Sequence, residues 1–184
     1  MLNLANFITI IRILLVPCFV ALLLRYRETG NDLLRWGALS VFAVAASSDA
    51  LDGLIARLKA QKSVLGSFLD PMADKLLLNT AVICMSLPMG HLARLPGWFP
   101  VLVISRDLTI VLGALLIHML RGKVTPRPSV TGKFTTFFQM LTVVWALLLW
   151  PRHMIPLSLA AAFTIISGIE YICIGMRQLH GTSS

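Results

Sequence analysis

Charged residues are scarce in this chain. Only 13% of its 184 residues are charged and 57% are apolar, whereas a soluble domain has about 25% charged and about 45–50% apolar residues. This composition excludes a soluble core with a single membrane anchor and indicates an integral membrane protein. At about 20 apolar residues per span, the chain has room for about six transmembrane helices.

Cysteine is also scarce, which excludes a disulfide framework. The three cysteines, Cys18, Cys84 and Cys173, lie inside apolar runs and show neither a disulfide pattern nor the spacing of zinc ligands. We interpret them as small hydrophobic side chains.

Apolar segments separated by proline, glycine and basic residues predict six helices. Arg12 and Pro17 interrupt the first segment. The expected fold is an all-α integral membrane protein in which residues 1–184 form one domain. The expected spans are 8–24, 34–59, 64–87, 98–120, 134–150 and 154–176.

The basic residues indicate how these helices cross the membrane. The chain has 16 Lys and Arg against 8 Asp and Glu, a net charge of +8. Cytoplasmic loops and anionic head groups select such an excess, so we expect membrane lipids rather than nucleic acid as partners. The Lys and Arg residues are more frequent on one side of a six-span arrangement, which predicts cytoplasmic termini in a bacterial-type inner membrane.

Half of the acidic residues lie between positions 49 and 74. Asp49 and Asp52 are three residues apart, and Asp70 and Asp74 are four apart, so each pair would project from one face of a helix. A short turn at 59–63 would bring the two pairs together. This arrangement predicts an active site at the cytoplasmic ends of helices 2 and 3.

Four neighbouring carboxylates at the edge of a bilayer repel one another unless they share protons or bind cations. Oxygen ligands without nearby His or Cys favour Mg²⁺ or Mn²⁺, and two such ions can clamp a phosphoryl displacement. Gly53 and Ala56 leave room for a nucleotide or diphosphate, and Arg57 is a suitable diphosphate partner. The alternative is a small ion- or proton-coupled transporter, in which buried carboxylates also occur.

The pattern Asp-x-x-Asp-Gly-x-x-Ala-Arg, eight residues, Gly-x-x-x-Asp-x-x-x-Asp at 49–74 resembles the signature of the CDP-alcohol phosphatidyltransferase family. The resemblance implies a six-helix membrane enzyme, commonly a homodimer, whose site opens to the cytosol. It also implies that Asp49, Asp52, Asp70 and Asp74 hold two divalent cations. Asp74 would in addition be the catalytic base that removes the proton of the acceptor hydroxyl.

The same resemblance implies a binding site for the lipid donor, CDP-diacylglycerol. Gly53, Arg57 and Ser63 would contact its CDP part, and attack on the β-phosphate would release CMP. Asn6, Thr9 and Arg12 would bind the diphosphate and head-group region of the donor. Ser63 and Asn6 are equally suited to capping the helices that they precede or begin.

The identity of the acceptor depends on other segments. Residues 69–76 resemble both the branch of the family that makes phosphatidylglycerophosphate and its cardiolipin synthases. Residues 132–139 are similar to the first branch, although Phe134 replaces a second Lys, whereas 104–107 are closer to the cardiolipin type. We predict glycerol 3-phosphate as the acceptor and keep phosphatidylglycerol as the alternative.

Glycerol 3-phosphate carries a dianion that requires cationic side chains. We predict that Arg106 and Lys133 supply them. Two structural alternatives are an ion pair between Arg106 and Asp107, and a Lys133 side chain that reaches lipid phosphate.

Overall fold

The computed structural model describes residues 4–59, 64–88, 94–121 and 129–180, with side chains at 10–48, 75–88, 94–117, 119–120 and 129–176. The described residues are helical and contain no strand, so the predicted all-helical fold with six helices is confirmed. The helices are α1 (Leu4–Thr29), α2 (Asp32–Lys59), α3 (Val64–Ser86), α4 (Trp98–Arg121), α5 (Val130–Leu147) and α6 (Met154–His180).

Two of these helices are long and apolar enough to cross a membrane. The segments are Trp98–Ile117 in α4 and Met154–Met176 in α6, and only 17% and 28% of them are buried within the protein. A core helix of a soluble protein would be mostly buried, because its apolar face has no other way to avoid water. The low burial therefore agrees with the predicted membrane character.

The chain divides into two compact units. Unit 1 comprises Met1–Leu95 and Ala146–Leu149, and unit 2 comprises Pro96–Trp145 and Trp150–Ser184. Within unit 1, α1 packs against α2 and α3, and within unit 2, α4 packs against α6. That residues 1–184 form one domain remains a prediction.

Small and aromatic side chains form the contact between α1 and α2 in unit 1. Ala38 and Ala45 of α2 are fully buried, which allows the helix backbones to approach closely. Phe19 and Phe42 are also buried, and their ring centroids lie 5.8 Å apart. α1 continues through Pro17, where an interruption was expected. A single missing hydrogen bond is tolerated where neighbouring helices support the backbone.

Two arginine side chains in unit 1 donate hydrogen bonds to carbonyl oxygens at the C-terminal ends of helices. Arg35 Nη1 donates to the carbonyl oxygen of Leu147, the last residue of α5, at 2.9 Å. Arg94 Nε donates to the carbonyl oxygen of Ser86, the last residue of α3, at 3.0 Å. Carbonyl oxygens in the last turn of a helix lack partners within that helix. The helix dipole also favours a cation at the C-terminal end.

The limits of α5 differ from the predicted span of 134–150. The helix begins at Val130, because hydrogen bonds at Ser129 and Thr131 hold its first turn in place. It ends at Leu147, because Leu149, with φ of 54°, has a left-handed backbone that cannot continue an α-helix. Arg152, with φ of 60°, completes the connection to α6.

Candidate active site

The two acidic pairs lie in helical backbone, as their spacing requires. Asp49 and Asp52 belong to α2, and Asp70 and Asp74 belong to α3. These helices pack against each other within unit 1. The four side chains lie outside the described ones, so their roles as metal ligands, and the role of Asp74 as the base, remain predictions.

The predicted donor-binding side chains also lie outside the described part of the chain. The backbone places Gly53, Ala56 and Arg57 in α2, and Asn6 and Thr9 in α1. Ser63 lies outside the described residues altogether.

The four carboxylates of the acidic pairs nevertheless suit hard divalent cations, because their ligand atoms are oxygens. Each of two packed helices contributes two carboxylates at helical spacing, and Mg²⁺ and Mn²⁺ bind oxygen ligands of this kind. Among the described side chains, which do not include these four, no group of three or more His, Cys, Asp or Glu is placed to hold a metal ion.

Arg12 shows that α1 also carries a buried charge. Its side chain is among the largest fully buried ones, with 1% of the residue exposed. It follows Thr9 by three residues and therefore lies on the same side of the helix. A buried guanidinium is costly unless hydrogen bonds and opposite charge compensate for lost hydration. Its burial shows that Arg12 lies in the protein interior and is not a surface charge, although the sequence predicted that it interrupts the first apolar segment.

The predicted acceptor residue Arg106 is the centre of a polar cluster in unit 2. Its Nη1 donates to Asp107 Oδ1 at 2.9 Å, and its Nη2 donates to Ser167 Oγ at 2.7 Å. The guanidinium carbon lies 5.4 Å from the centre of the Tyr171 ring. Only 9% of the side chain is exposed. Nε is buried, and no described residue accepts a hydrogen bond from it.

Gly132 brings the first turn of α5 directly against this cluster. A Cβ atom at Gly132 would lie 3.1 Å from Arg106 Nη2 and 3.6 Å from Tyr171 Oη. The first distance is shorter than ordinary van der Waals contact, so a larger residue would displace the guanidinium. Lys133, the next residue, has an exposed side chain. The structure thus places Arg106 against Gly132, the residue before Lys133, and the roles of Arg106 and Lys133 in binding the acceptor remain predictions.

Glu170 is a part of this region that the sequence analysis missed. Its Oε2 accepts hydrogen bonds from Ser129 Oγ at 2.6 Å and from Thr131 Oγ1. Ser129 immediately precedes α5, where a carboxylate is favoured by the unsatisfied N–H groups and by the helix dipole. A carboxylate within the apolar sequence of α6 was the available signal.

Two further polar residues of 132–139 bind α5 to α6. Thr135 Oγ1 donates to the carbonyl oxygen of Phe163 at 2.9 Å, and Gln139 Nε2 donates to Thr164 Oγ1 at 3.0 Å. Thr135 and Gln139 are buried. Gly132, Thr135 and Gln139 therefore have packing roles, whereas Lys133 is exposed and available to a ligand.

The sequence is similar to that of known lipid-synthesising proteins along most of its length. The family model described as CDP-alcohol phosphatidyltransferase matches residues 2–169. A probable phosphatidylglycerophosphate synthase of Mycobacterium tuberculosis is 35% identical over 184 residues, covering 97% of this chain and 84% of the relative.

Two other relatives carry different names. A CDP-diacylglycerol--glycerol-3-phosphate 3-phosphatidyltransferase of Bacillus subtilis is 34% identical over 188 residues, covering 93% of this chain and 94% of the relative. A protein of Mycobacterium bovis that is provisionally named a cardiolipin synthase is 33% identical over 136 residues, covering 74% of this chain and 60% of the relative. The extent of the family match, which includes both acidic pairs, shows that this chain belongs to the CDP-alcohol phosphatidyltransferase family.

Proposed function

We propose that this chain transfers a phosphatidyl group from CDP-diacylglycerol to glycerol 3-phosphate, forming phosphatidylglycerophosphate and CMP. The name of the Bacillus subtilis relative, which aligns with 93% of this chain, supports this reaction. The family as a whole supports transfer from a CDP-activated alcohol.

The observation that carries the choice of acceptor is the contact between Arg106 and the first turn of α5. The 3.1 Å separation between Arg106 Nη2 and a Cβ built at Gly132 places a guanidinium next to the residue that precedes Lys133. The buried Nε–H of Arg106 has no acceptor among the described residues, so a phosphate oxygen that reached it would complete its hydrogen bonding. If Arg106 and Lys133 both bind the acceptor, their two positive charges favour the phosphate dianion of glycerol 3-phosphate over the singly charged phosphodiester of phosphatidylglycerol.

The remaining roles follow from the chemistry of the predicted residues. Asp49, Asp52, Asp70 and Asp74 are proposed to hold two divalent cations, Mg²⁺ or Mn²⁺, which when bound would neutralise charge on the donor diphosphate.

Asp74 would accept the proton of the acceptor hydroxyl. The hydroxyl oxygen then forms a bond to the β-phosphorus of the donor, and the bond from that phosphorus to the bridging oxygen breaks. The bridging oxygen leaves with CMP.

Donor binding is assigned to residues of α1, α2 and the segment that follows α2. Arg57 would pair with the diphosphate, and Gly53 and Ala56 would leave space for it beside the helix backbone. Ser63, Asn6 and Thr9 would donate hydrogen bonds to the donor.

We further propose a multi-pass arrangement in which all six helices span the membrane. The acidic ends of α2 and α3 would face the cytosol together with both termini, in a bacterial-type inner membrane, with a homodimer as the assembled form. The distribution of Lys and Arg supports this orientation. The family match over residues 2–169 supports a single domain in 1–184.

Release of CMP by the purified full-length protein tests the proposal. With CDP-diacylglycerol and Mg²⁺ or Mn²⁺, we expect release that depends on glycerol 3-phosphate and stops when EDTA removes the metal. Release with phosphatidylglycerol alone would instead identify a cardiolipin synthase, as the name of the Mycobacterium bovis relative suggests for that protein. Absence of metal-dependent CMP release with every alcohol would favour a transporter.

A further inference from the structure

The first turn of α5 is held in place by a residue of another helix. Glu170 of α6 accepts hydrogen bonds from Ser129 and Thr131, one on each side of Val130, where α5 begins. Thr131 is two residues before Lys133. A shift in this turn would therefore move the backbone from which the Lys133 side chain extends.

The face of α6 that carries Glu170 also contacts Arg106. Ser167, Glu170 and Tyr171 follow a spacing of three and four residues, so they lie together on one side of the helix. Ser167 accepts a hydrogen bond from Arg106 Nη2, and the ring of Tyr171 lies against the guanidinium. One surface of α6 thus determines the positions of both Arg106 and the turn that carries Lys133.

Close packing makes this arrangement sensitive to small shifts. Gly132 leaves no room for even a methyl group beside Arg106 Nη2 without displacement of the guanidinium. A phosphate group bound by Lys133 therefore depends on how this turn is held, because small misplacements of a binding group are costly.

We infer that Glu170 is a positioning residue for the acceptor: through Ser129 and Thr131 it holds the first turn of α5 and thereby sets where Lys133 meets the phosphate group of the acceptor. This inference rests on the proposed function. Glu170 acts through its two hydroxyl partners and does not touch the substrate itself.

The test compares two substitutions at Glu170 in the full-length enzyme, assayed by CMP release with Mg²⁺ and both substrates varied. Glu170→Ala removes the acceptor of both hydrogen bonds. We expect its KM for glycerol 3-phosphate to rise about tenfold, the size expected for loss of a hydrogen bond to a charged group. We expect kcat and the KM for CDP-diacylglycerol to stay within about twofold.

Glu170→Gln retains a side-chain oxygen at the same position. We therefore expect it to restore most of the affinity for glycerol 3-phosphate, because a neutral acceptor still binds Ser129 and Thr131. Glu28→Ala is the matched control, since Glu28 is an exposed glutamate of α1 in unit 1. It should leave both KM values unchanged.

Thr131→Val provides a second test, because it removes one hydroxyl but retains the shape of the side chain. We expect a smaller increase in the KM for glycerol 3-phosphate. In the double variant with Glu170→Ala, Thr131→Val should add little, because its bond to Glu170 is already absent and only its bond to Ser129 Oγ remains to be lost. If Glu170→Ala does not fold, Thr131→Val carries the test.

The two possible failures can be distinguished. If the unaltered enzyme releases no CMP with glycerol 3-phosphate, the proposed function is wrong and the inference falls with it. If the unaltered enzyme is active but folded Glu170→Ala and Thr131→Val keep its KM for glycerol 3-phosphate, only the inference is wrong. Equal losses toward both substrates together with a lower Tm would also overturn it, by showing a role in stability alone.

Discussion

Two buried arginines, Arg35 in unit 1 and Arg106 in unit 2, have similar surroundings but differ in their hydrogen bonds. Their side chains are 11% and 9% exposed. Each binds a carboxylate near in sequence, and each guanidinium carbon lies 5.4 Å from the centre of an aromatic ring.

The first difference is the hydrogen bond that the Nε–H group donates. Arg35 Nε donates to Asp32 at 3.0 Å, whereas Arg106 Nε has no acceptor among the described residues. Arg35 also caps the C-terminal end of α5, because its Nη1 donates to the carbonyl oxygen of Leu147. Burial and an ion pair are therefore common to both arginines, and the Nε–H group without a described acceptor distinguishes Arg106 from Arg35.

The largest expected effect is that of replacing Asp74, the proposed catalytic base in unit 1. We expect Asp74→Asn to reduce kcat by about 100-fold or more, because the amide cannot accept the hydroxyl proton and is a weaker metal ligand. Binding of CDP-diacylglycerol should remain largely intact. Steady-state CMP release and a lipid-binding assay measure the two effects, and near-normal turnover would remove Asp74 from the proposed role.

Replacement of Arg106 tests the comparison directly. We expect Arg106→Ala to raise the KM for glycerol 3-phosphate about tenfold or more, and the KM for CDP-diacylglycerol much less, because a charged hydrogen-bond donor to phosphate is lost. Arg106→Lys should not restore the affinity, because lysine lacks the planar fork of donors. An unchanged KM in Arg106→Ala would make this arginine as structural as Arg35.

A smaller effect is expected from Gly132→Ala. The added Cβ would lie 3.1 Å from Arg106 Nη2, and the flexible end of the arginine can move by a few tenths of an ångström to accommodate it. We expect the KM for glycerol 3-phosphate to rise about threefold, since the shift disturbs the position of a binding group only slightly. Kinetics at saturating CDP-diacylglycerol would show it, and Gly113→Ala, with nothing within 4 Å of the added atom, is the control.

The smallest kinetic effect is expected from Arg35→Ala. This change removes the donor to Leu147 and the ion pair with Asp32. We expect the free energy of unfolding to fall by about 1–3 kcal/mol, the cost of leaving a buried carbonyl unpaired, with both KM values unchanged. Thermal denaturation in detergent together with kinetics would check this, and a selective rise in the KM for glycerol 3-phosphate would break the distinction between the two arginines.

The sequence was sufficient to predict most of the helices. The prediction for 98–120 agrees closely with α4 at Trp98–Arg121, because Pro96 and Gly97 precede a continuous apolar run. The start of α5 could not be predicted in this way. It depends on Glu170, which lies 41 residues after Ser129 and approaches it only when α6 packs beside α5.

The candidate site was predicted from residue types, spacing and family resemblance. The metal-binding role of the acidic pattern and the acceptor-binding role of Arg106 and Lys133 remain predictions. The partners of Arg106 on α6, Ser167 and Tyr171, could not, because they depend on how α4 packs against α6. Local sequence thus indicated which groups carry charge, and tertiary packing determined which hydrogen bonds they make.

The connection that follows α5 also suggests where the enzyme could be made more robust for handling outside the membrane. Leu149 and Arg152 each adopt a left-handed conformation, which costs a residue with a side chain about 1–2 kcal/mol. Asparagine tolerates this conformation better and has less backbone freedom to lose than glycine. Leu149 is exposed, so its replacement by asparagine sacrifices little packing. The segment is therefore a starting point for engineering a variant that survives purification in detergent.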